Sequence, residues 1–138
     1  MLLYHTRALN SPLLAALNKL STEQASATEN IIIALTQLLG YYATYLNPTL
    51  QFVASDMMLR IHLDASYLSI SKARSRATAF FYLSSDGNTP PFNGAVHVLC
   101  VVLKNVMVST TESETGAVFV NCQEAVSLRE TLIEMSHP

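Results

Sequence analysis

The sequence is short of charge. Asp, Glu, Lys and Arg together make up 13% of its 138 residues, against about 25% in an average soluble domain. Apolar residues make up 50%, so this is not the charge-rich, apolar-poor composition of a disordered chain. The shortage implies that part of the surface is made to be covered by more protein. A basic excess is missing too. The formal net charge is −2, which weighs against a tight, charge-driven nucleic-acid binder but leaves local contacts open.

Cysteine clusters are absent. Cys100 lies in an apolar, strand-like run and Cys122 in a helical pattern, and no CxxC or Cys/His group suggests zinc. Both cysteines are expected to be buried free thiols. No apolar run approaches the roughly 18 residues of a membrane span. The opening MLLYHTR lacks the charged-then-apolar order of a signal peptide. These absences predict an intracellular, soluble chain with no membrane partner, placed in the cytoplasm, with the nucleus as the alternative. The length suits one domain, or a small domain with an extension.

Two stretches carry chemistry. Residues 58–67, MLRIHLDASY, alternate Leu59, Ile61 and Leu63 with Arg60, His62 and Asp64. That period of two predicts a half-buried strand over 58–64 with Asp64 at its polar end, before a turn. On residues alone, Asp64 also reads as an ordinary turn-capping Asp. Residues 109–119, STTESETGAVF, read as a helix start. Ser109 with Glu112, and Thr111 with Glu114, both have capping-box spacing, so the start is marked and its register is open. Val118, Cys122, Ala125 and Leu132 are expected on one buried face, which Glu114 shares. A carboxylate on such a face needs a cation, a metal ion or the helix N-terminus as partner.

The remaining elements follow in order. Residues 1–9 are a mixed lead-in. Ser11-Pro12 opens a short helix ending near Ser21. Ser26 and Glu29 predict a capping box for a longer helix that Asn47-Pro48 stops. Its apolar positions, Ile31, Leu35, Leu38, Tyr42 and Tyr45, read as plain core packing. Residues 65–75 are read as a polar connection, 76–83 as a second strand and 95–103 as a third. Asp86-Gly87-Asn88, Pro90-Pro91 and Asn93-Gly94 supply the turn between the last two. The final helix is expected over about 110–135. Lys72, Arg74 and Arg76, spaced by two, would form one basic row in an extended segment. His62 reads as a solvated strand histidine and His97 as a half-buried structural one. The expected class is α+β: a helical pair in residues 1–50, then in 56–138 a three-stranded antiparallel meander packed by one long helix.

ASDMMLRIHLDASYLSISKARSRATAFFYL, followed by NGAVHVLCVVLKNVMVSTTESETGAVFVNCQEA, resembles the ribonuclease H domain of copia-type LTR retrotransposon polyproteins. ALNSPLLAALNKLSTEQASATENIIIALTQLLGYYATYLNP is similar to the tail of the reverse transcriptase region that precedes it. The most specific pieces are DASY after a strand, KARSRA before the next, and STTESE opening the helix. The resemblance implies a truncated ribonuclease H-like fold and a reaction, hydrolysis of the RNA strand of an RNA–DNA hybrid. It implies magnesium or manganese as cofactor, with Asp64 and Glu114 as catalytic metal ligands. Glu112 is the competing assignment. Lys72, Arg74 and Arg76 would meet the hybrid's phosphates.

The sequence also departs from that pattern. The family's later acidic ligands would lie beyond Pro138, and two carboxylates do not readily hold two magnesium ions. Leu63 stands where the family often has a small polar residue, and Ala77-Thr78 where it often has small residues or glycines. The fragment is therefore expected to be inactive as it stands, and to self-associate through an open sheet edge. The alternative is a non-catalytic structural or interaction module. A small nucleic-acid binder is a third reading, which the low basic content disfavours.

Overall fold

The computed structural model describes residues 2–26, 28–87, 89 and 91–137. The chain divides into two compact units, Met1–Leu50 and Gln51–Pro138.

The first unit is helical. The lead-in turns out to be a helix, α1 (Leu2–Ala8). Packing that the local pattern does not show holds it: the rings of His5 and Tyr42 meet edge-on with centroids 5.1 Å apart. Pro12 lies in a 3-10 turn, Ser11–Leu13, that leads into α2 (Leu14–Glu23). Asn10, not Ser11, takes the N-cap position. The expected Ser26–Glu29 capping box does not form. Ser26 lies in a second 3-10 turn and its hydroxyl donates back to the Glu23 carbonyl, so extended Thr28 stands at the N-cap of α3 (Glu29–Thr44). Leu13, Leu14 and Leu38 are buried, but Ile32, Leu35, Leu39 and Tyr45 stay exposed. Plain core packing thus accounts for only part of the α3 stripe. A unit of this size has too little mass to cover a helix on so wide a face.

The second unit is a three-stranded antiparallel sheet in the order β1-β2-β3, with a long helix on one face. The strands are β1 (Met58–Ile70), β2 (Arg74–Ser84) and β3 (Ala95–Val102), and the helix is α4 (Thr110–Glu134). The α+β class with a meander packed by one helix is as the pattern predicts. No helix among the described residues is long and apolar enough to cross a membrane.

β1 runs six residues beyond its expected end at Asp64. Residues 65–70 are strand rather than connection, because Ala65 and Tyr67 keep alternating into the core. An irregularity lies between Ser66 and Ile70, where Leu68 has φ 48° and donates its N–H to Ser75 Oγ at 3.2 Å. The reversal is the three residues 71–73, and Lys72 and Ala73 both have positive φ there, 63° and 51°. Beyond β2, Asn93 clasps the segment before β1. Its Oδ1 accepts the Val53 N–H at 2.8 Å, and its Nδ2 donates to the Val53 and Leu83 carbonyls. The next residue must be glycine, since a Cβ on Gly94 would lie 2.7 Å from the Gln51 carbonyl oxygen. Asn88 and Pro90 of the expected turn, and Pro138 at the end, lie outside the described residues.

The core between sheet and helix has two parts. Ala77, Leu103, Met107 and Ala117 pack with Ala65, Tyr67, Val101 and Val120. Ala79, Phe81 and Leu99 pack with Leu59, Ile61, Ala125 and Leu128. Odd-numbered residues of β1 and β2 therefore face α4. Even-numbered ones face away, by the alternation of a strand. On that far face His62, Phe80, Tyr82 and Phe92 form an aromatic group, with Phe92 stacked on Tyr82.

The helix is rotated from its expected setting. Ser113, Ala117 and Asn121 are its buried line, whereas Val118 and Cys122 are exposed. Cys100 is buried as expected, and Cys122 is not. The misreading has a physical cause. Small and polar side chains let α4 approach the sheet closely: Asn121 Nδ2 donates to the Thr78 carbonyl at 3.3 Å, and such positions carry no apolar signal.

Candidate active site

Asp64 sits in the middle of β1 rather than at its end. It is registered with Thr78, whose hydroxyl donates to the Asp64 carbonyl at 3.2 Å. Its side chain is exposed and starts from the face turned away from α4, since Ala65 next to it faces the helix. No hydrogen bond or ion pair of its carboxylate occurs among the described residues.

Three contacts fix the start of α4. Ser109 is its N-cap and accepts the Glu112 N–H at 3.1 Å. The Tyr67 hydroxyl donates to the Val108 carbonyl at 3.0 Å. The Ser75 and Ser113 hydroxyls lie 2.9 Å apart. These contacts, with Ala117 packed on Ala65 and Ala77, set the first turns of α4 over the part of the sheet that carries Asp64.

The two glutamates then separate in role. Glu112 fastens the helix start, because its Oε2 accepts the N–H of Val108, the residue before the N-cap, at 2.6 Å while the Ser109 hydroxyl accepts the Glu112 N–H, a variant of the capping box shifted by one residue. Glu114 is exposed and not on the buried line, and it has no hydrogen bond or ion pair among the described residues. Its flank of the helix follows from rotation. Gly116, Phe119, Val120 and Gln123 line a cleft with residues of β3. At about 100° per residue, Glu114 and Val118 fall on the opposite flank, the one over β1. β1 is an edge strand, since it pairs only with β2. Glu114 and Asp64 thus bracket the open edge of β1 from its two faces.

Carboxylate oxygens are hard donors, but Asp64 and Glu114 leave from opposite faces of the β1 edge. Two carboxylates suit a magnesium or manganese ion that keeps most of its waters. They fall short of the ligand count of a paired-ion site. Among the described residues no three His, Cys, Asp or Glu side chains gather closely enough to hold a metal. His62 does not join Asp64, for its Nε2 is 3.0 Å from the Tyr82 hydroxyl and its ring packs against Phe92. His97 is half-buried, with Nε2 3.9 Å from a Glu124 oxygen.

The basic row is broken. Arg74 and Arg76 are on β2, opposite Ile70 and Ser66, but Lys72 is in the left-handed reversal and not in an extended segment. Sequence alone missed Ser75, Ser113 and Asn121, the polar contacts that set the helix. Their only signal was a spacing of four between Ser113, Ala117 and Asn121, all small or polar. The chain matches no family model, no curated protein and no solved structure.

Proposed function

We propose that residues 56–138 are the opening part of a ribonuclease H-type domain from a copia-type retrotransposon polyprotein. Residues 1–50 are then the end of the reverse transcriptase region before it. The intact domain's activity is metal-dependent hydrolysis of RNA in an RNA–DNA hybrid. The observation that supports this reading is one of placement. Asp64 lies mid-strand in the first strand of an antiparallel meander, and Glu114 lies in the second turn of the helix packed on it, both at one sheet edge.

A bound divalent ion supplies Lewis-acid activation of water and of the leaving oxygen. Asp64 and Glu114 would hold it by reaching towards each other round the β1 edge from its two faces, and Arg74 and Arg76 would meet phosphates. Two carboxylates hold one ion and not two, so this chain alone binds metal without cleaving hybrid.

The test is a manganese titration read by thermal shift, on the wild type and on Asp64→Asn. The expected result is a melting temperature that rises with manganese in the wild type and stays flat in the variant. A binding ion stabilises by RT ln(1 + [L]/Kd), about 2.7 kcal/mol at a hundredfold excess over Kd. A flat wild type, or an equal rise in both, leaves the non-catalytic packing module as the function.

A further inference from the structure

Asn93-Gly94 is the one Asn-Gly step in the sequence. In that dipeptide an asparagine deamidates most readily, because glycine puts no side chain in the way of ring closure. The fold demands both residues. Gly94 is buried, and a Cβ there would meet the Gln51 carbonyl oxygen at 2.7 Å. Asn93 uses its whole amide. Oδ1 accepts the Val53 N–H at 2.8 Å, and Nδ2 donates to the carbonyls of Val53 at 2.9 Å and Leu83 at 2.7 Å. These three bonds hold the segment before β1 against the end of β2.

We propose that Asn93 is a modification site gated by this clasp. While the clasp is closed the amide is protected; once it opens, Asn93 deamidates and the clasp does not close again. Water is the co-reactant. The Gly94 nitrogen gives up its proton and bonds to Asn93 Cγ. The Cγ–Nδ2 bond breaks, and Nδ2 leaves with that proton as ammonia. Water then opens the five-membered imide at one carbonyl or the other, to aspartate or isoaspartate. The net change is amide plus water to carboxylic acid plus ammonia, with no oxidation or reduction.

The closed geometry opposes the first step. The Gly94 N–H donates to Asn93 Oδ1 at 2.9 Å, so the nitrogen presents its proton, not its lone pair, to the side chain. Turning Cγ towards that lone pair breaks the bonds to Val53 and Leu83. The products then fail to fit. A carboxylate has no proton for the two carbonyls, and its oxygen would take the place of Nδ2, 2.9 and 2.7 Å from theirs. Isoaspartate adds a methylene to the main chain and moves Gly94 from its seat against Gln51. The segment then depends on Asp56, which bonds to Ser85 and Asp86. This clasp is separate from Asp64, Glu114 and the β1 edge, and it stands whether or not the nuclease reading holds.

The experiment ages the full chain in mildly alkaline buffer, with and without denaturing urea. Site-resolved peptide mass spectrometry follows conversion at Asn93 and keeps it apart from isomerisation at Asp86-Gly87. Conversion is expected to be about a hundredfold faster in urea, since the closed clasp must break three bonds to open. In buffer, Val53→Pro lacks the N–H that Oδ1 accepts and is expected to convert about tenfold faster than the wild type. Asn93→Asp makes one product directly, and is expected to speed hydrogen exchange at the Val53 amide by about tenfold or more. The urea comparison and Asn93→Asp do not depend on Val53→Pro folding. Equal conversion in buffer and urea overturns the gating. So does a folded Val53→Pro chain that converts at the wild-type rate. An Asn93→Asp chain with wild-type protection at Val53 overturns the one-way latch.

Discussion

The hydroxyls of Ser75 and Ser113 meet at 2.9 Å where neither residue reaches solvent. This contact joins the start of β2 to the start of α4, and Ser75 Oγ also accepts the Leu68 N–H at 3.2 Å. One hydroxyl therefore serves both the irregular end of β1 and the seating of the helix. Ser75→Ala leaves the buried Ser113 hydroxyl and the part-buried Leu68 N–H without their partner, a loss of about 2 kcal/mol. Ser113→Ala leaves Ser75 bonded to Leu68 and costs about 1 kcal/mol. The double variant is expected to cost less than the sum, because the second change removes a group already unpartnered. Urea unfolding of the three variants measures this, and strict additivity would show that the hydroxyls are not coupled.

The meander was legible in the sequence because its strands alternate cleanly and carry turn residues between β2 and β3. The end of β1 was not, and the reason is local. Ala65, Ser66 and Ser69 look like connection chemistry, yet Ala65 and Tyr67 bury against Ala77 and Ala117, so tertiary packing outweighs a weak strand preference. Asp64 was legible as a polar-face residue of the strand, and alternation does put it on the face away from α4, but the continuation of the strand past it was not legible. For α4 the apolar residues Val118 and Cys122 misled the rotation, because the buried line is Ser113, Ala117 and Asn121. Periodicity weighs apolar side chains, and a helix seated closely on a sheet selects small ones instead.

The β1–β2 reversal holds two side chains where the backbone prefers none. Lys72 and Ala73 have φ values of 63° and 51°. An L-residue in that region costs roughly 1–2 kcal/mol, and glycine avoids the cost. Glycine also gains freedom in the unfolded chain, which offsets part of the benefit. Ala73→Gly is therefore expected to stabilise the protein by about 0.5–1 kcal/mol, seen as a higher urea midpoint with an unchanged slope. A lower midpoint would mean that the alanine methyl packs favourably enough to outweigh the strain.

Glu112 and Glu114 are two residues apart, and their environments assign them different work. Glu112 accepts the Val108 N–H at 2.6 Å and is itself capped by Ser109. Glu112→Ala is thus expected to cost about 1 kcal/mol, the usual worth of a helix cap. Its response to manganese should stay that of the wild type. Glu114 has no such partner among the described residues, and its flank of α4 looks over the open edge of β1. Glu114→Ala is expected to leave stability within about 0.5 kcal/mol, as for a surface change away from any cap, and to abolish the manganese-induced thermal shift. Thermal melts of both variants with and without manganese separate the two assignments. If Glu112→Ala lost the shift and Glu114→Ala kept it, the metal ligand would be the capping glutamate, and binding would have to unfasten the start of the helix.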